Sequence, residues 1–199
     1  MAAFSESLEQ WLRSNQPKTL DSVSTAFREK SFAIIILVLM FLPALPIPTG
    51  GITHVFELIV MLLAVELMAG RRVLWLPRRW RDMRIGKFME SKTIPVLIGR
   101  IRWFERFSRP RLSNLLNHDL FLRFVGFIFL LLALAAFVSP PFAGLDTLPS
   151  LGAVIIALSL ILEDVVLFLF GWLVGAIGVG IIIGTGGLTI HFIERLVHS

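Results

Sequence analysis

The apolar residues of this chain follow an order that occurs twice. An apolar run from Phe32 meets a Pro/Gly elbow at residues 46–51, and a second apolar run then ends in charge at Arg71. The same order, with its own elbow, leads from Val125 to Asp164. One constant offset, without gaps, pairs similar positions of the two copies: Pro48 with Pro141, Gly51 with Gly144, Ala64 with Ala157, Leu67 with Leu160 and Arg71 with Asp164. The pattern predicts two related helical hairpins.

Internal symmetry of this kind has a functional meaning in membrane proteins. Hydrophobic segments interrupted by Gly or Pro at corresponding positions of two halves are typical of a binding or transport site between those halves. The alternative is chance similarity, because apolar segments resemble one another whatever their ancestry.

Two uncharged stretches are long enough to cross a bilayer. Residues 31–53 and 165–190 contain no charged side chain, and a transmembrane helix needs about 20 apolar residues. With 56% hydrophobic residues and a mean hydropathy of +0.81, the chain is too apolar for a soluble domain of 199 residues. The sequence therefore predicts an all-α integral membrane protein.

The arms of the first hairpin are short for a complete crossing. As helices, residues 31–45 and 54–69 would each reach only about 24 Å, against a hydrocarbon core of roughly 30 Å. Either the arms extend into their polar flanks, or the hairpin is re-entrant and turns within the membrane. A turn at that depth must be buried in protein or line a wet cavity. Both alternatives stay open for the two hairpins.

These patterns divide the chain into five segments. They are amphipathic N-terminal helices, a first hairpin, a basic cytoplasmic or interfacial segment, a second hairpin and a glycine-rich transmembrane helix, at residues 1–30, 31–71, 72–118, 119–164 and 165–190 in turn.

The glycines of the last segment predict close helix packing. Gly171 with Gly175, and Gly180 with Gly184, have the four-residue spacing that lets helix backbones approach each other. Packing against the hairpins is the expected use of these glycines, and homodimerisation is the alternative.

Charge is distributed unevenly along the chain. The net charge is +5, yet residues 71–111 hold thirteen Arg and Lys side chains against three acidic ones. By the positive-inside tendency this stretch lies in the cytoplasm. The first thirty residues mix both signs of charge and lack a long apolar stretch, so the N-terminus is expected to stay in the cytoplasm too. Parallel hairpins fit this distribution better than an inverted repeat, which needs an odd number of crossings between the copies.

The basic segment also indicates a partner. Its apolar residues at helical spacing predict a helix in the headgroup plane, with arginines toward anionic lipid. Trp75, Trp80 and Trp103 are interleaved with arginine, which raises nucleic-acid binding as an alternative. A basic cytoplasmic loop beside membrane helices is the commoner meaning of such a pattern. We therefore expect contact with the bilayer and its anionic lipids, and no nucleic acid.

Ionisable residues within the apolar segments are candidates for function, because they are costly at membrane depth and usually face an interior or a cavity. His54 and Glu57 are three residues apart and share one helix face. Such a pair can relay protons or orient a polar substrate. The alternative is that both residues are hydrated at the membrane interface and have only a structural role. Arg71 and Asp164 hold equivalent positions with opposite charge, which predicts an ion pair between the copies.

The elbows are a second candidate site. They can leave backbone amides unpaired, and a helix that starts just beyond an elbow presents the positive end of its dipole to a phosphate or carboxylate. A plain interfacial turn is the alternative. Nine residues are therefore predicted to bind substrate: Thr49, Gly50, Gly51, His54, Glu57, Arg71, Asp146, Thr147 and Asp164.

Catalytic motifs are missing from the sequence. The chain has no cysteine, no HExxH, no Gly-x-Ser-x-Gly and no phosphate-binding Gly-Lys-Ser/Thr loop. We therefore expect neither enzymatic activity nor a metal or cofactor.

Proline, arginine and tryptophan landmarks mark nearly the whole chain from about residue 22. They are Leu45-Pro46-Ile47-Pro48, Gly70-Arg71-Arg72, Trp75-Leu76-Pro77-Arg78-Arg79, Arg106-Phe107-Ser108-Arg109-Pro110 with the link from Leu112 to Leu116, and Thr147-Leu148-Pro149. With these landmarks the chain resembles the ExoD family of bacterial exopolysaccharide-synthesis proteins. At its second elbow it reads Ala143-Gly144-Leu145-Asp146, where the family is more like Phe-Gly-Asn, so Asp146 is the candidate substitute for that asparagine.

The resemblance implies a multi-pass protein of the bacterial inner membrane that is linked to exopolysaccharide production, and it supplies no catalytic residues. Two functions are then expected. One is an accessory or scaffold protein that docks polysaccharide-synthesis proteins through its basic segment and glycine-rich helix. The other is a small transporter or flippase-like carrier of an anionic, lipid-linked phosphate through the interface of the repeats.

Overall fold

The computed structural model describes residues 4–15, 17, 19, 22, 30–46, 52–71, 94–107, 118–139 and 144–197. Seven helices occur in this part of the chain: α1 (Phe4–Arg13), α2 (Ser31–Phe41), α3 (Ile52–Met68), α4 (Ile94–Phe107), α5 (Asp119–Val138), α6 (Thr147–Leu162) and α7 (Val165–Val197). No strand is found among these residues, which confirms the all-α prediction. The last helix continues beyond residue 190, where the sequence predicted its end.

Four helices form a ring of contacts. Helix α2 packs against α3 and α6, and α5 packs against the same two helices. The first hairpin (α2 and α3) and the second (α5 and α6) therefore meet along both arms. The first arm of each hairpin contacts the second arm of the other, so exchanging the two hairpins leaves this pattern of contacts unchanged. Helix α7 packs mainly on the outside of α6.

Both hairpins run in the same direction through the bundle. Lys30, just before α2, contacts the end of α6 at Ile161, and Arg123 near the start of α5 lies against Gly70 at the end of α3. The end of α2 with the start of α3, and the end of α5 with the start of α6, are thus at one end of the bundle, which we name the elbow end. Lys30, Arg123 and the last turns of α3 and α6 are at the opposite end.

Helix α2 is buried on all sides because its sequence is apolar all round. Every residue from 31 to 40 is buried, as expected for a helix without a polar face. Its 11 residues reach about 16 Å, which is short of a bilayer core. The other helices of the ring and α7 therefore supply the surface that faces the surroundings.

Two helices are long and apolar enough, within the described residues, to cross a membrane: α5 and the part of α7 at residues 165–185. Their outward faces carry large exposed apolar side chains, among them Phe124, Phe127, Leu131, Leu169, Phe170 and Leu173. Faces of this kind suit lipid contact, whereas water would disfavour them. The structure is thus compatible with a membrane protein.

Small residues bring the helices close together. A Cβ built on Gly126 of α5 would lie 2.9 Å from the carbonyl oxygen of Ala64 in α3. A Cβ on Gly152 of α6 would lie 2.5 Å from the Cα of Gly175 in α7, and Gly171 and Gly178 of α7 are equally crowded by α6. The expected packing within the chain therefore holds for Gly171 and Gly175, whereas Gly180 and Gly184 have no described atom within 4 Å of a built Cβ.

Helices α3 and α6 end with the same backbone geometry. Gly70 has φ +77° and Glu163 has φ +57°, both in the left-handed region. The amide of Arg71 donates to the carbonyl of Glu66 (3.1 Å), and the amide of Asp164 donates to the carbonyl of Ser159 (3.0 Å). Both ends carry the hydrogen bond of a Schellman motif. Glycine adopts this conformation freely, whereas Glu163 is strained by its Cβ.

Helices α1 and α4 pack on each other through amphipathic faces. Leu8, Trp11, Leu97 and Ile101 are among their buried residues. Both carboxylate oxygens of Glu105 accept hydrogen bonds from Ser5, and Glu9 pairs with Arg102 at 2.7 Å. The N-terminal helix therefore covers a helix of the basic segment. Most of the predicted N-terminal segment after α1 lies outside the described residues.

Candidate functional site

The first turns of α3 hold a buried acid joined to a histidine. His54 Nδ1 lies 2.9 Å from Glu57 Oε2, and the two residues share a helix face because they are three apart. The Glu57 side chain is 0% exposed and that of His54 is 31% exposed. The sequence predicted this pair, and the structure shows that its acid faces the interior and its imidazole reaches toward the surface.

The second oxygen of Glu57 lacks a hydrogen bond. Oε1 is buried and has no partner among the described residues. A buried polar atom in this state costs about 1–3 kcal/mol, and a buried charge costs more. Such a cost is typical of a site kept for function, above all within a membrane protein.

Asp146 brings a second acid to the pair from the other hairpin. It precedes α6 at the elbow end, and its charge interacts with those of both His54 and Glu57. Partial burial raises the pKa of the Asp146 carboxyl, while hydrogen bonds from its own amide and that of Thr147, together with the charge of His54, oppose that rise. The two hairpins therefore meet in an acidic cluster of His54, Glu57 and Asp146.

One aromatic side chain contacts this cluster, and a buried serine follows Asp146 by one helical turn. The ring of Phe137 in α5 packs on His54 with centroids 5.3 Å apart. Ser150 is one turn beyond Asp146, with its amide donating to the Asp146 carbonyl (3.1 Å). Its side chain is fully buried, and its Oγ has no hydrogen-bond partner in the described part of the chain.

Sequence reasoning missed Ser150. A signal was present, because the offset that pairs Pro48 with Pro141 also pairs Glu57 with Ser150. A serine in an apolar helix does not stand out on its own, since it readily bonds to the backbone of the preceding turn.

The cluster has the chemistry of a proton or hydroxyl site. Two carboxylates face one imidazole, so the surroundings are acidic and repel a phosphate. The described residues contain no group of three or more His, Cys, Asp or Glu arranged to hold a metal ion. What the cluster can do is accept hydrogen bonds and exchange protons.

The remaining predicted residues are not members of the acidic cluster. Asp164 is buried, and its Oδ1 accepts a hydrogen bond from the amide of Val166 (3.0 Å), which caps the start of α7. Arg71 is exposed after the end of α3. Both are at the opposite end from the cluster, and an ion pair between them stays a prediction. Thr147 is half-buried beside Asp146.

The anion-binding elbow also stays a prediction. Thr49, Gly50 and Gly51 lie outside the described residues, so the structure does not test their role.

Two cations that the sequence did not single out hold the opposite end together. Lys30 Nζ donates to the carbonyl of Ile161 (2.7 Å) and to Glu163 Oε1 (3.0 Å). Arg123 packs on Gly70, where a Cβ would lie 2.7 Å from Nη2. Each cation stands at or near the start of the first arm of one hairpin and meets the end of the second arm of the other.

Comparison with known proteins gives the relationships of the chain. The model of the family described as "Exopolysaccharide synthesis, ExoD" matches residues 4–184. An uncharacterized protein from Synechocystis sp. is 28% identical over 199 residues, which cover 96% of this chain and 93% of the relative. No solved structure matches. Since the family model spans most of the sequence, the chain belongs to the ExoD family, whose name ties it to exopolysaccharide synthesis.

Proposed function

We propose that this protein is a multi-pass protein of the bacterial inner membrane that binds a polar substrate of exopolysaccharide synthesis between its two hairpins, as a small carrier without enzymatic activity. The observation that supports this most strongly is the fully buried Glu57, hydrogen-bonded to His54 and coupled electrostatically to Asp146 of the other hairpin. A scaffold has no need of a costly buried acid where its two halves meet, whereas a binding site does.

We also propose that the hairpins are two copies of one ancestral unit. The offset of 93 residues that separates Pro48 from Pro141 relates the helix-end motifs and, independently of them, two cations. It relates the left-handed residues Gly70 and Glu163, the cations Lys30 and Arg123, and the hydrogen bonds that follow each helix end. Apolar composition alone would not place these polar and backbone features at equivalent positions.

Parallel copies carry a consequence for topology. With both elbows at one end of the bundle, the copies are related by an axis along the membrane normal. The positive charge of the segment between them then assigns the opposite end to the cytoplasm. In this arrangement the acidic cluster faces the periplasmic side.

The two ends of the bundle suit different parts of a substrate. Hydroxyl groups of a sugar can donate to the carboxylates of the cluster. An anionic phosphate is better held at the opposite end, where Arg123 packs on Gly70 next to the exposed Arg71. A lipid-linked sugar phosphate has both kinds of group.

Native mass spectrometry of the protein, extracted gently from its own membrane, tests this function. We expect a retained lipid-linked sugar phosphate in the wild type and its loss in the double variant Glu57→Gln, Arg71→Ala. The matched control is Glu6→Gln, Arg13→Ala, which removes the same charges from the exposed side of α1. Bulk phospholipid alone in every sample would count against a carrier.

A specific surface favours an accessory role as the second candidate. Val96, Arg100 and Trp103 follow one another at one-turn spacing along α4 and are all exposed. An arginine and a tryptophan on one face suit anionic headgroups or a partner protein. If this role holds, Arg100→Ala with Trp103→Ala should reduce exopolysaccharide production more than Glu57→Gln does. The carrier proposal requires the reverse order.

A further inference from the structure

We propose that the acidic cluster of His54, Glu57 and Asp146 is a proton-binding site, and that the proton is the coupling ion of the protein. The coupling rests on the proposed carrier function, whereas the proton site does not. The inference follows from the burial and hydrogen bonding of Glu57, from the balance of charge around it, and from a route by which protons reach it.

The hydrogen bonding of Glu57 comes first. One carboxylate oxygen is held by His54 at 2.9 Å, and the other is buried without a partner among the described residues. Ser150, at the equivalent position of the second copy, also has a fully buried oxygen without a partner there. A proton is the ligand that neutralises such a carboxylate without requiring space.

The net charge of the acidic cluster also favours a bound proton. With both acids ionised, the cluster has two negative charges and at most one positive charge, on His54. Because Glu57 is the fully buried member, its charge is the costly one, and binding one proton removes it.

In the described helices around the cluster, the other titratable groups lie toward the opposite end of the bundle and do not offset this excess. Helix α2 has none in residues 31–41, and α7 has none in residues 165–190. The elbow sequences at 47–51 and 140–143 also have none. In α5 the groups are Asp119 and Arg123, near its start. Helix α6 has none, and Glu163 and Asp164 follow its end, so all four lie at or near the opposite end. Within α3, Glu66 is nine residues further along.

His54 supplies the route. Its ring is 31% exposed at the elbow end, while Glu57 is fully buried behind it. A protonated His54 can pass the proton from Nδ1 to Glu57 Oε2 along their hydrogen bond, which leaves a neutral imidazole and a neutral carboxyl. The neutral imidazole keeps its proton on Nε2, and its Nδ1 then accepts a hydrogen bond from the protonated carboxyl of Glu57.

A hydrophobic carbodiimide tests the site directly, because such reagents modify protonated carboxyls in apolar surroundings. The full-length protein in membrane vesicles would be treated with dicyclohexylcarbodiimide at several pH values from about pH 5 to about pH 8, which bracket neutral pH. Mass spectrometry would then quantify the adduct on Glu57. We expect an adduct at low pH that falls at least about tenfold across this range.

Matched controls separate the site from general reactivity. The exposed Glu6 and Asp119 should not show this pH-dependent labelling, and Glu57→Gln should remove the adduct. His54→Ala should shift the pH profile. Absence of an adduct on Glu57 at every pH, or labelling that does not change with pH, overturns the proposal. A titrating Glu57 in a protein that retains no specific lipid would keep the proton site and reject the proposed carrier.

Discussion

The guanidinium of Arg123 lies directly on Gly70, with Nη2 2.7 Å from where a Cβ of residue 70 would be. The same relationship recurs between Lys30 and Glu163, whose side chains pair at 3.0 Å. In both cases a cation at the start of one hairpin holds the left-handed end of a helix in the other. This end of the bundle is thus fixed twice, by residues that are far apart in sequence.

Removing the Lys30 contact should destabilise the bundle moderately. Lys30→Ala loses the hydrogen bond to the last turn of α6 and the ion pair with Glu163, and both side chains are partly exposed. We therefore expect a loss of no more than about 1 kcal/mol. Thermal unfolding in detergent measures it, with Lys30→Arg as the control that keeps the charge. Equal stability of Lys30→Ala and wild type would mean that this contact contributes nothing.

The strained end of α6 gives a prediction about the relative stability of two variants. Glu163→Ala keeps a Cβ at φ +57° and loses the Lys30 pair, whereas Glu163→Gly loses the same pair and relieves the strain. We expect the glycine variant to be more stable than the alanine variant by about 1 kcal/mol, measured by thermal unfolding. An alanine variant of equal or higher stability would contradict the left-handed geometry.

Two glycines of α7 should respond differently to the same change. A Cβ on Gly178 would lie 2.6 Å from Cδ of Pro149, whereas a Cβ on Gly180 has no described atom within 4 Å. Gly178→Ala should therefore cost about 1–3 kcal/mol through overpacking. Gly180→Ala should be neutral or slightly stabilising, because alanine favours a helix. Unfolding in detergent, at equal lipid content, measures the stability of both variants. Equal stability changes for Gly178→Ala and Gly180→Ala would contradict the packing of α7 on α6.

Cysteine labelling should place both elbows on one side of the membrane. The natural chain has no cysteine, so single substitutions give a clean background. Pro46→Cys and Leu145→Cys should both react with a membrane-impermeant maleimide from the periplasmic side, and the exposed Ala69→Cys should react only from the cytoplasmic side. Labelling of the two elbows from opposite sides would establish an inverted repeat instead.

Substitutions of Asp164 can separate its helix-capping role from the predicted ion pair with Arg71. Asp164→Ala should cost about 1 kcal/mol because the amide of Val166 loses its acceptor, while Asp164→Asn should retain most of the stability. If Arg71 also pairs with Asp164, the exchange Arg71→Asp with Asp164→Arg should recover folding that either single change damages. Expression level and unfolding temperature report the outcome, and a lack of recovery would leave Asp164 with the capping role alone.

The helical elements and the His54–Glu57 pair could be predicted from the sequence because they depend on local spacing. Apolar runs without charge form helices, and residues three apart share a helix face whatever the rest of the chain does. Elbow prolines and glycines interrupt those runs for equally local reasons. The family resemblance was also readable, since short motifs of Pro, Arg and Trp mark it.

The position of Asp146 beside that pair depended on tertiary structure. Its carboxylate interacts electrostatically with His54 only because two hairpins, separated by the long basic segment, pack in the same direction. The burial of Ser150 and the ion pair between Lys30 and Glu163 also result from the packing of the two hairpins. Local spacing is set by the geometry of one helix, whereas contacts between hairpins depend on how whole helix surfaces fit, and apolar surfaces of similar composition do not reveal that fit in sequence.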